Sequence, residues 1–504
     1  MPISLDLGPL SVLDVVAVAR HSQRVGISAA SKKAMAASRK VVESCLTDGD
    51  PHYGINTGFG SLSKQRISNA DLATLQFNLI RSHAAGIGPP LAEEVVRATM
   101  LLLAASLCRG KSGVRPLVAE TVVKLLNAEL TPIVPETGSV GASGDLAPLA
   151  HIACALIGEG NVYFKGKATT AAKALAGANI KPIALAAKEG LALINGTHLM
   201  AARGALLCRD IDYLLDAALI ATAMSIEACR ATHAFLDERL YLARNQPGPA
   251  FAAERLRELL AGSQIAKSHA ENDSRVQDPY SLRAAPTVLG AAIWALMDVR
   301  QNIEAELGAV TDNPLVFTDN VEPTIVSGAN FHGMPLAIPL DIVPIALAHI
   351  AGIAERRIYL ITGAFEPESN LKPYLAPRPG LESGLMIAQY TAAAACNEII
   401  TLCTPASVSN ISTSAGMEDY NSFGPRAAAK ATRALELARG VIAIELLCAA
   451  EAMEYHRPHK SGKPVEAAHK LIRTKVKKLS ADRSPAPDIA AISHLIQFGS
   501  FSKN

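Results

Sequence analysis

Apolar and polar residues along the second part of the chain alternate with the period of an α-helix. From about Lys188 onward, the apolar residues recur at helical spacing, which places them on one face of each helix. These segments are long and rich in alanine, and such helices pack closely against one another. We therefore predict a bundle of long helices. The predicted long helices span residues 211–240, 285–310, 340–361, 383–403 and 424–453.

The first part of the chain alternates shorter helices with glycine-rich loops. Residues 53–63, YGINTGFGSLS, contain too many glycines for a regular element. Residues 161–170, NVYFKGKATT, predict a small hairpin. We expect a mainly α fold, with an N-terminal loop-and-helix region over 1–200 and a long-helix bundle with a C-terminal helical region over 201–504. The predicted short helices span residues 11–20, 28–46, 70–86 and 91–110.

Composition adds an expectation about subunits. Hydrophobic residues make up 49% of the 504 residues and aromatic residues 4%, with a mean hydropathy of +0.21. This excess of aliphatic residues favours further burial between subunits. The net charge of +2, from 48 basic and 46 acidic residues, indicates neither nucleic acid nor a membrane surface as partner. The most apolar stretch, 333–354, is interrupted by Asp341 and His349, which predicts a core helix rather than a membrane span.

The cysteines indicate the cellular compartment. The eight cysteines are scattered, with no CxxC pair and no zinc-like spacing, so we expect buried free thiols and no metal site. Free thiols are typical of a reducing compartment. The N-terminus has no basic segment followed by an apolar core, so we expect no signal peptide and a cytoplasmic protein.

Residues 138–153, GSVGASGDLAPLAHIA, carry a glycine at every third position from 138 to 144. The segment lacks the GK[ST] ending of a phosphate loop and the GxGxxG spacing, so we do not expect a nucleotide site. A turn before a helix explains Asp145 as the N-cap and Gly158 as the stop. That interpretation leaves Ala142, Ser143 and Gly144 unexplained.

A chemical role is the alternative for these three residues. A tight loop can press the backbone nitrogen of Gly144 onto the carbonyl carbon of Ala142, because glycine has no side chain to hinder the approach. Ring closure with loss of water, followed by dehydration of Ser143, gives a five-membered ring with an exocyclic methylene. Such a ring is a strong electrophile that needs no added cofactor.

The segment resembles the signature of the aromatic amino acid ammonia-lyases and aminomutases. Further motifs of that family follow in its order over about 53–451: YGINTGFG, NLIRSHAAGIG, EGLALINGTHLM, VQDPYSLRAAP, TDNPLVF, GANFHG, AERRI and MIAQYTAAA. The resemblance implies an ammonia-lyase/fumarase-like fold and the self-formed cofactor 4-methylideneimidazol-5-one (MIO), made from Ala142, Ser143 and Gly144. It also implies a homotetramer with shared active sites and no pyridoxal phosphate.

The resemblance implies elimination of ammonia from an α-amino acid. An electrophile must activate the substrate, and a base must remove a weakly acidic β-proton. Tyr53 matches the catalytic tyrosine of the family and would be this base. Asn195 matches the asparagine that contacts the oxygen of the cofactor ring, where it would donate to developing charge. Without the resemblance, these residues are a packed loop tyrosine and a turn asparagine before glycine.

Other motifs match substrate-binding positions. Arg283 matches the arginine that binds the substrate carboxylate, a task that suits a bidentate guanidinium. Gln277 and Tyr280 lie in the same segment and match active-site positions. Phe331 matches a pocket phenylalanine. Judged alone, Arg283 would more often form a surface ion pair, and Phe331 would pack in the core.

The substrate is indicated by two residues. His83 follows Ser82 after NLIR, where phenylalanine-specific enzymes are expected to carry apolar residues, and it can hydrogen-bond an imidazole or a phenol. Glu418 resembles the glutamate of histidine lyases, and a carboxylate can accept from an imidazole N–H or take up the proton of the leaving ammonia. The leading prediction is therefore conversion of L-histidine to urocanate.

The sequence departs from the histidine-lyase pattern at several positions. Gly416 and Met417 stand where Asn-Gln is common, Tyr420 where histidine is frequent, and His198 where glutamine is usual. Tyrosine ammonia-lyase or tyrosine 2,3-aminomutase activity on the same scaffold is therefore an open alternative. A non-catalytic relative of the family is a remote one.

Overall fold

The computed structural model describes residues 2–271, 273–318 and 322–502. It is mainly helical, as predicted. The first helices along the chain are α1 (Val12–His21), α2 (Ala29–Ser44), α3 (Leu72–His83), α4 (Glu93–Cys108), α5 (Pro116–Asn127), α6 (Leu146–Leu156), α7 (Ala171–Gly177), α8 (Glu189–Ile194) and α9 (His198–Ala228). The later ones are α10 (Glu238–Arg244), α11 (Pro247–Leu260), α12 (Gln264–Lys267), α13 (Tyr280–Arg283), α14 (Ala285–Glu306), α15 (Met334–Gly363), α16 (Met386–Leu402), α17 (Gly424–Met453), α18 (Lys463–Arg473) and α19 (Ala486–Gln497).

The described strands are short and form small sheets. A parallel pair joins β1 (Ile3–Leu5) to β2 (Val25–Ile27). Antiparallel sheets are formed by β3 (Ile87–Pro90) with β5 (Pro135–Thr137), by β4 (Leu130–Pro132) with β6 (Asn161–Phe164) and β7 (Lys167–Thr170), and by β8 (Leu315–Phe317) with β9 (Thr324–Val326). The pair β6–β7 confirms the hairpin that NVYFKGKATT predicts, with Asn161 opposite Thr170.

Local signals in the sequence explain where helices begin. At α1, the Ser11 hydroxyl accepts from the Asp14 backbone N–H at 3.1 Å, and the Asp14 carboxylate accepts from the Ser11 N–H at 2.9 Å. This reciprocal capping satisfies two backbone donors that a helix start leaves unpaired. Pro116 at the start of α5 and Pro247 at the start of α11 fit because the first turn needs no backbone donor there.

The chain forms two compact units. The first consists of Met1–Arg209, Arg300–Leu340 and Pro405–Ala429. The second consists of Asp210–Val299, Asp341–Thr404 and Lys430–Asn504. The regions 1–200 and 201–504 that the sequence suggests are continuous stretches, whereas each compact unit combines separate stretches of the chain.

Parts of three long helices meet within the second unit, at a buried carboxylate. Glu445 of α17 is fully buried, and its Oε1 accepts from the Ser225 hydroxyl of α9 at 2.7 Å. Its Oε2 accepts from Nη2 of Arg357 of α15 at 3.0 Å, and Arg357 is also fully buried. A buried charge is tolerated only when it is paired and hydrogen-bonded, as it is here. This contact is consistent with the predicted bundle of long helices.

One predicted helix boundary is wrong. The pattern predicts a continuous helix over 211–240, but α9 begins at His198 and ends at Ala228. Arg230 has a left-handed φ of +50°, and the Ala231 N–H donates to Ile226 O at 2.9 Å, which closes the helix end. The apolar spacing continues beyond this point because the short turn and α10 also bury apolar residues, among them Leu236 and Tyr241.

Helix α15 contains most of the apolar stretch that the sequence assigns to a core helix. Among the described residues, it is the single helix that is long and apolar enough to cross a membrane by length and composition. Its most apolar window is 61% buried inside the fold. That burial fits the expected core helix.

A short sheet and three helices bring distant loops together in the first unit. Strand β3 follows soon after α3, and β5 immediately precedes the glycine-rich loop at 138–145. Their pairing presses Gly138 against Gly86, so that a Cβ on Gly138 would lie 3.0 Å from the Gly86 Cα. Helices α3, α6 and α8 also pack against one another. The end of α3, the loop before α6 and the end of α8 are therefore neighbours.

Candidate active site

A cavity of about 850 Å³ lies within the first unit. Its wall is formed by the loop around Tyr53, the end of α3, the loop before α6, the end of α8 and residues 414–420. The residues on the wall that the sequence analysis singles out are Tyr53, His83, Ala142, Ser143, Asn195, Phe331 and Glu418. Residues that lie far apart in the sequence thus share one cavity.

The glycine-rich loop carries Tyr53 to the cavity. Ile55 is fully buried and anchors the loop in the core. Gly54 has a φ of +72°, and a Cβ at this position would lie 2.5 Å from a Leu191 methyl carbon, so only glycine fits without rearrangement. Tyr53 is half-buried, and its Oη accepts a hydrogen bond from the Gly60 N–H at 3.4 Å. The phenol oxygen therefore has one long backbone contact.

The loop at 138–145 is pressed against Gly196. The Gly196 N–H donates to Ser143 O at 3.1 Å, and its carbonyl accepts from the Asp145 N–H at 2.7 Å. Gly144 has a φ of +75°, and a Cβ there would lie 2.0 Å from Gly196 O. No side chain can occupy position 144 in this geometry. The close approach supplies a physical reason for glycine at this position.

Ala142, Ser143 and Gly144 fit the ring that the resemblance predicts. Ala142 and Ser143 form part of the cavity wall, and Gly144 leaves its backbone nitrogen unshielded by a side chain. A polar atom also stands unpaired on the same wall, since Asn195 Oδ1 is buried and has no hydrogen-bond partner among the described residues. The predicted ring has no N–H or O–H, so this acceptor is left for a donor on a bound molecule, and the fit of the ring rests on Gly144 and on the position of Ser143.

Asp145 differs from its predicted role. It directly precedes α6, but its side chain makes no hydrogen bond to that helix. Its Oδ2 instead accepts from the N–H groups of Leu199 at 2.9 Å and Met200 at 3.1 Å, at the beginning of α9. Burial raises the pKa of the Asp145 carboxyl to about 7, although these two N–H groups lower it. The predicted capping partner is wrong, because Asp145 ties the loop to α9 rather than capping α6.

A buried ion pair holds Asn195 in place. Lys188 and Asp312 are almost entirely buried, and the Lys188 Nζ donates to Asp312 Oδ2 at 2.6 Å. Asp312 Oδ1 accepts from Asn195 Nδ2 at 3.3 Å, and the same Nδ2 donates to Asn313 O at 3.2 Å. Both protons of the Asn195 amide are therefore used inside the protein. The unpaired atom of Asn195 is an acceptor here, and its predicted role as a donor to the cofactor ring stays a prediction.

We expect Lys188→Met to destabilise the protein by about 3–5 kcal/mol, because it leaves the buried Asp312 carboxylate without its cation. Urea unfolding at matched protein concentration measures the change. The control is Lys181→Met, at an exposed position, which should change the stability by less than about 0.5 kcal/mol. Adding Asp312→Asn to Lys188→Met removes the stranded charge and should recover part of the loss. An unchanged unfolding midpoint for Lys188→Met would contradict a structural role for the pair.

His83 presents one defined ring nitrogen to the cavity side. It is the last residue of α3, and its Nδ1 lies 2.8 Å from Leu79 O. A carbonyl oxygen only accepts, so Nδ1 carries the proton in this contact. In the neutral ring, Nε2 is then the acceptor. His83 can thus receive a hydrogen bond from a donor on a bound molecule.

Glu418 is positioned by a tight turn. The backbones of Thr413 and Glu418 pair at 2.9 and 3.3 Å, and the Thr413 hydroxyl donates to Glu418 Oε2 at 2.8 Å. Glu418 Oε1 lies 3.5 Å from the Ser143 hydroxyl, which donates to it. The Asn421 amide is buried and donates to Thr413 Oγ1 at 3.3 Å. The carboxylate therefore stands beside Ser143 with one oxygen held by Thr413.

Some residues of the wall have no role that the sequence predicts. His332 lies on it, and its Nε2 donates to Tyr420 O at 3.0 Å while its Nδ1 accepts from the Met334 N–H at 3.3 Å. Tyr420 and Met417, two of the departures from the histidine-lyase pattern, also line the cavity. The sequence feature that could have identified His332 is its position directly after Phe331 in GANFHG.

His198, a further departure, does not line the cavity. Burial, together with the charge of Arg109, lowers the pKa of the His198 imidazole to about 3. The ring is therefore neutral at ordinary pH. His198 is therefore a residue of the buried interior rather than of the cavity wall.

Gln277, Tyr280 and Arg283 lie in the second unit and are not among the residues that line the cavity. Gln277 is exposed, and Tyr280 is 71% exposed. The Arg283 guanidinium lies 4.4 Å from the centre of the Tyr280 ring, and its Nε donates to Asp278 O at 2.9 Å. The structure thus places Arg283 against Tyr280.

The model of the aromatic amino acid lyase family matches residues 10–474. A histidine ammonia-lyase from Stigmatella aurantiaca is 45% identical over 498 residues, covering 99% of this chain and 96% of the relative. The crystal structure of histidine ammonia-lyase from Trypanosoma cruzi has a TM-score of 0.92 at 37% identity, covering 99% of this chain and 94% of that one. The tyrosine aminomutase of Streptomyces globisporus has a TM-score of 0.93 at 34% identity, covering 99% and 98%.

Proposed function

Because the chain belongs to the aromatic amino acid lyase family, and is therefore a carbon–nitrogen lyase, we propose that it eliminates ammonia from L-histidine and releases urocanate. The observation that carries this proposal is that His83, Glu418 and Ser143 line one cavity. The similarity to histidine ammonia-lyases over nearly the whole chain supports it.

The cofactor is part of the proposal. Ala142, Ser143 and Gly144 would form and hold MIO, and the buried Asn195 lies on the same wall. When formed, this group supplies an electrophile that activates the substrate for loss of ammonia. The Gly196 backbone keeps the loop closed from behind through its contacts with residues 143 and 145.

His83 and Glu418 would recognise the imidazole and handle the amine. With Nδ1 donating to Leu79 O, the uncharged form of His83 would offer Nε2 as an acceptor, and the imidazole N–H of histidine is a donor of the matching kind. The Glu418 carboxylate, next to Ser143, would accept a hydrogen bond from the ammonium group and take up the proton of the leaving ammonia. Tyr53, on the same wall, would remove the β-proton through its phenol oxygen.

Product analysis tests the substrate assignment. Purified protein is incubated separately with L-histidine, L-tyrosine and L-phenylalanine, and the products are separated by chromatography. We expect urocanate and ammonia from L-histidine in equal amounts, and much slower turnover of the other two amino acids. Coumarate from L-tyrosine, with no urocanate from L-histidine, would refute the assignment.

Tyrosine is the second candidate substrate. His83 Nε2 can accept from a phenol O–H as well as from an imidazole N–H. Met417 and Tyr420, which line the cavity, depart from the usual histidine-lyase pattern. The fold similarity to a tyrosine aminomutase supports the same alternative. A lyase would convert L-tyrosine to coumarate, whereas an aminomutase would return β-tyrosine, which chromatography separates from the substrate.

Gln277, Tyr280 and Arg283 would reach the cavity from another copy of the chain in a homotetramer. Gln277 and Tyr280 are exposed in this chain and Arg283 is half-buried, and no arginine is among the described residues that line the cavity, which supports this. Arg283 would then bind the substrate carboxylate.

Subunit mixing tests the shared site. Tyr53→Phe and Arg283→Met copies are each expected to be almost inactive. Dissociating and reassociating a mixture of them should restore a measurable fraction of wild-type activity, because some sites then receive both native residues. Mixing each variant only with itself is the control. A mixture as inactive as the controls, at confirmed subunit exchange, would place both residues in a site within one chain.

We place the protein in the cytoplasm on the basis of its thiols. None of the eight cysteines, all of which the structure describes, forms a disulfide, and six of them are buried. Thiols persist in a reducing compartment. Activity confined to the soluble fraction after cell disruption is the expected result, and activity recovered with the membranes would contradict it.

A further inference from the structure

A thiol, a carboxylate and an imidazole converge at the end of α2, outside the cavity described above. Cys45, Asp48 and His52 each present one ligand atom, and these atoms all lie within 4.8 Å of one another. Among the described residues, this is the one such group of three. We propose that Cys45, Asp48 and His52 form a binding site for a soft divalent cation such as Zn²⁺.

The side-chain types suit that class of cation. Zinc takes thiolate sulfur, imidazole nitrogen and carboxylate oxygen at about 2.0–2.3 Å, and a site with three protein ligands leaves one position for water. A thiolate ligand excludes the hard cations Mg²⁺ and Ca²⁺, which prefer oxygen. Cys45 is buried, whereas Asp48 is exposed and His52 half-buried, so the cation would approach from the side of the latter two.

Backbone contacts hold the three ligands near one another. The Asp50 N–H donates to Asp48 Oδ1 at 2.9 Å, which leaves Oδ2 facing His52 Nε2 at 2.8 Å. The buried Asn56 side chain joins both ends of the segment. Its Oδ1 accepts from the His52 N–H at 2.7 Å, and its Nδ2 donates to Cys45 O at 3.3 Å. Such outer contacts orient metal ligands and raise affinity.

The present contacts also show what the cation would change. Burial, together with the charge of Asp48, raises the pKa of the Cys45 thiol, so the sulfur keeps its proton at neutral pH. Binding therefore releases one proton per site from Cys45. The cation then lies between the Cys45 thiolate and the Asp48 carboxylate and attracts both.

The simpler interpretation is a packed cysteine next to a surface ion pair. Cys45 belongs to the cluster that includes Val42, Ile55 and Leu72, and Asp48 and His52 are four residues apart. An exposed pair of this kind contributes little to stability. This interpretation does not explain why the Cys45 thiol lies within 4.8 Å of both the Asp48 and the His52 side chains.

Cadmium reports directly on the sulfur, because its thiolate complexes absorb in the ultraviolet. Titrating the purified full-length protein with Cd²⁺ should give a charge-transfer band that saturates at one equivalent per chain and is reversed by excess Zn²⁺. Cys45→Ser should abolish this band. Cys396→Ser and Cys403→Ser, at the two half-exposed cysteines, are matched controls that should leave it unchanged.

Variants at the outer ligands guard against misfolding of a substituted core position. His52→Gln and Asp48→Asn change residues that are not fully buried, and each should weaken Cd²⁺ binding by at least about tenfold while leaving the far-ultraviolet circular dichroism unchanged. Asp50→Asn, next to the site, is the control and should bind as the wild type does. A band that persists in Cys45→Ser would overturn the proposal. Equal Cd²⁺ binding by Asp48→Asn, His52→Gln and Asp50→Asn would also overturn it.

The site adjoins the loop that carries Tyr53, since His52 directly precedes it. A bound cation would tie this end of the loop to the end of α2. We expect amide hydrogens of residues 53–60 to exchange more slowly with Cd²⁺ bound than without it, and the Cys45→Ser protein to show no difference. This readout is independent of the proposed catalytic function.

Discussion

Ser143→Ala is expected to leave the protein at the mass that its sequence predicts, whereas the wild-type chain is expected to be lighter by two water molecules. Ring closure between Gly144 and Ala142 removes one water, and dehydration of Ser143 removes the second. Alanine has no hydroxyl to lose, so the exocyclic methylene cannot form. Without that conjugated double bond, the ring reopens by taking its water back, and neither water is lost. The geometry supports this expectation, because position 144 excludes any side chain and Ser143 lies on the cavity wall. Intact-protein mass spectrometry measures the difference.

The same variant should lose at least about 10³-fold in kcat, since removing a covalent catalyst acts on this scale. Ser61→Ala is a matched control, because Ser61 also lines the cavity but lies outside the predicted ring. It should keep both the mass deficit and most of the activity. A wild-type chain without the deficit would refute the self-formed cofactor and favour a non-catalytic relative.

The fold could be predicted where local patterns decide it. The long helices have apolar residues at helical spacing, and β6–β7 has its turn at Lys165 and Gly166, both with positive φ. The end of α9 could not be predicted this way. The apolar pattern runs on past Ala228, and only the conformation of Arg230 ends the helix.

The site was predictable mainly through its matching motifs. These motifs identify Tyr53, Ser143 and Glu418, but they do not say which oxygen or nitrogen is available. The assignments at Asp145 and Asn195 needed the structure, because their partners are far away in the sequence. Asp145 bonds to the beginning of α9, and Asn195 bonds to Asp312, which is more than one hundred residues away. Buried polar groups find partners through the tertiary fold, which spacing does not encode.

Tyr53→Phe is expected to lower kcat by about 10²–10⁴-fold, the usual contribution of a general base, with little change in KM. The variant keeps the ring and removes only Oη, whose single described contact is the 3.4 Å hydrogen bond from Gly60. The fold and the cavity wall should therefore persist. The chain should also keep its deficit of two waters, because Tyr53 takes no part in ring closure. Steady-state kinetics and intact mass together separate loss of the base from loss of the electrophile.

Tyr420→Phe removes a second phenol from the same wall and is the matched control for this assignment. Its backbone carbonyl accepts from His332, and the substitution leaves that contact in place. We expect its kcat to change by only a few-fold. If Tyr420→Phe lost as much activity as Tyr53→Phe, the loss of activity would not identify Tyr53 as the base. If Tyr53→Phe kept wild-type kcat, proton removal would have to be assigned to another group, and Glu418, which stands beside Ser143, would be the first to examine.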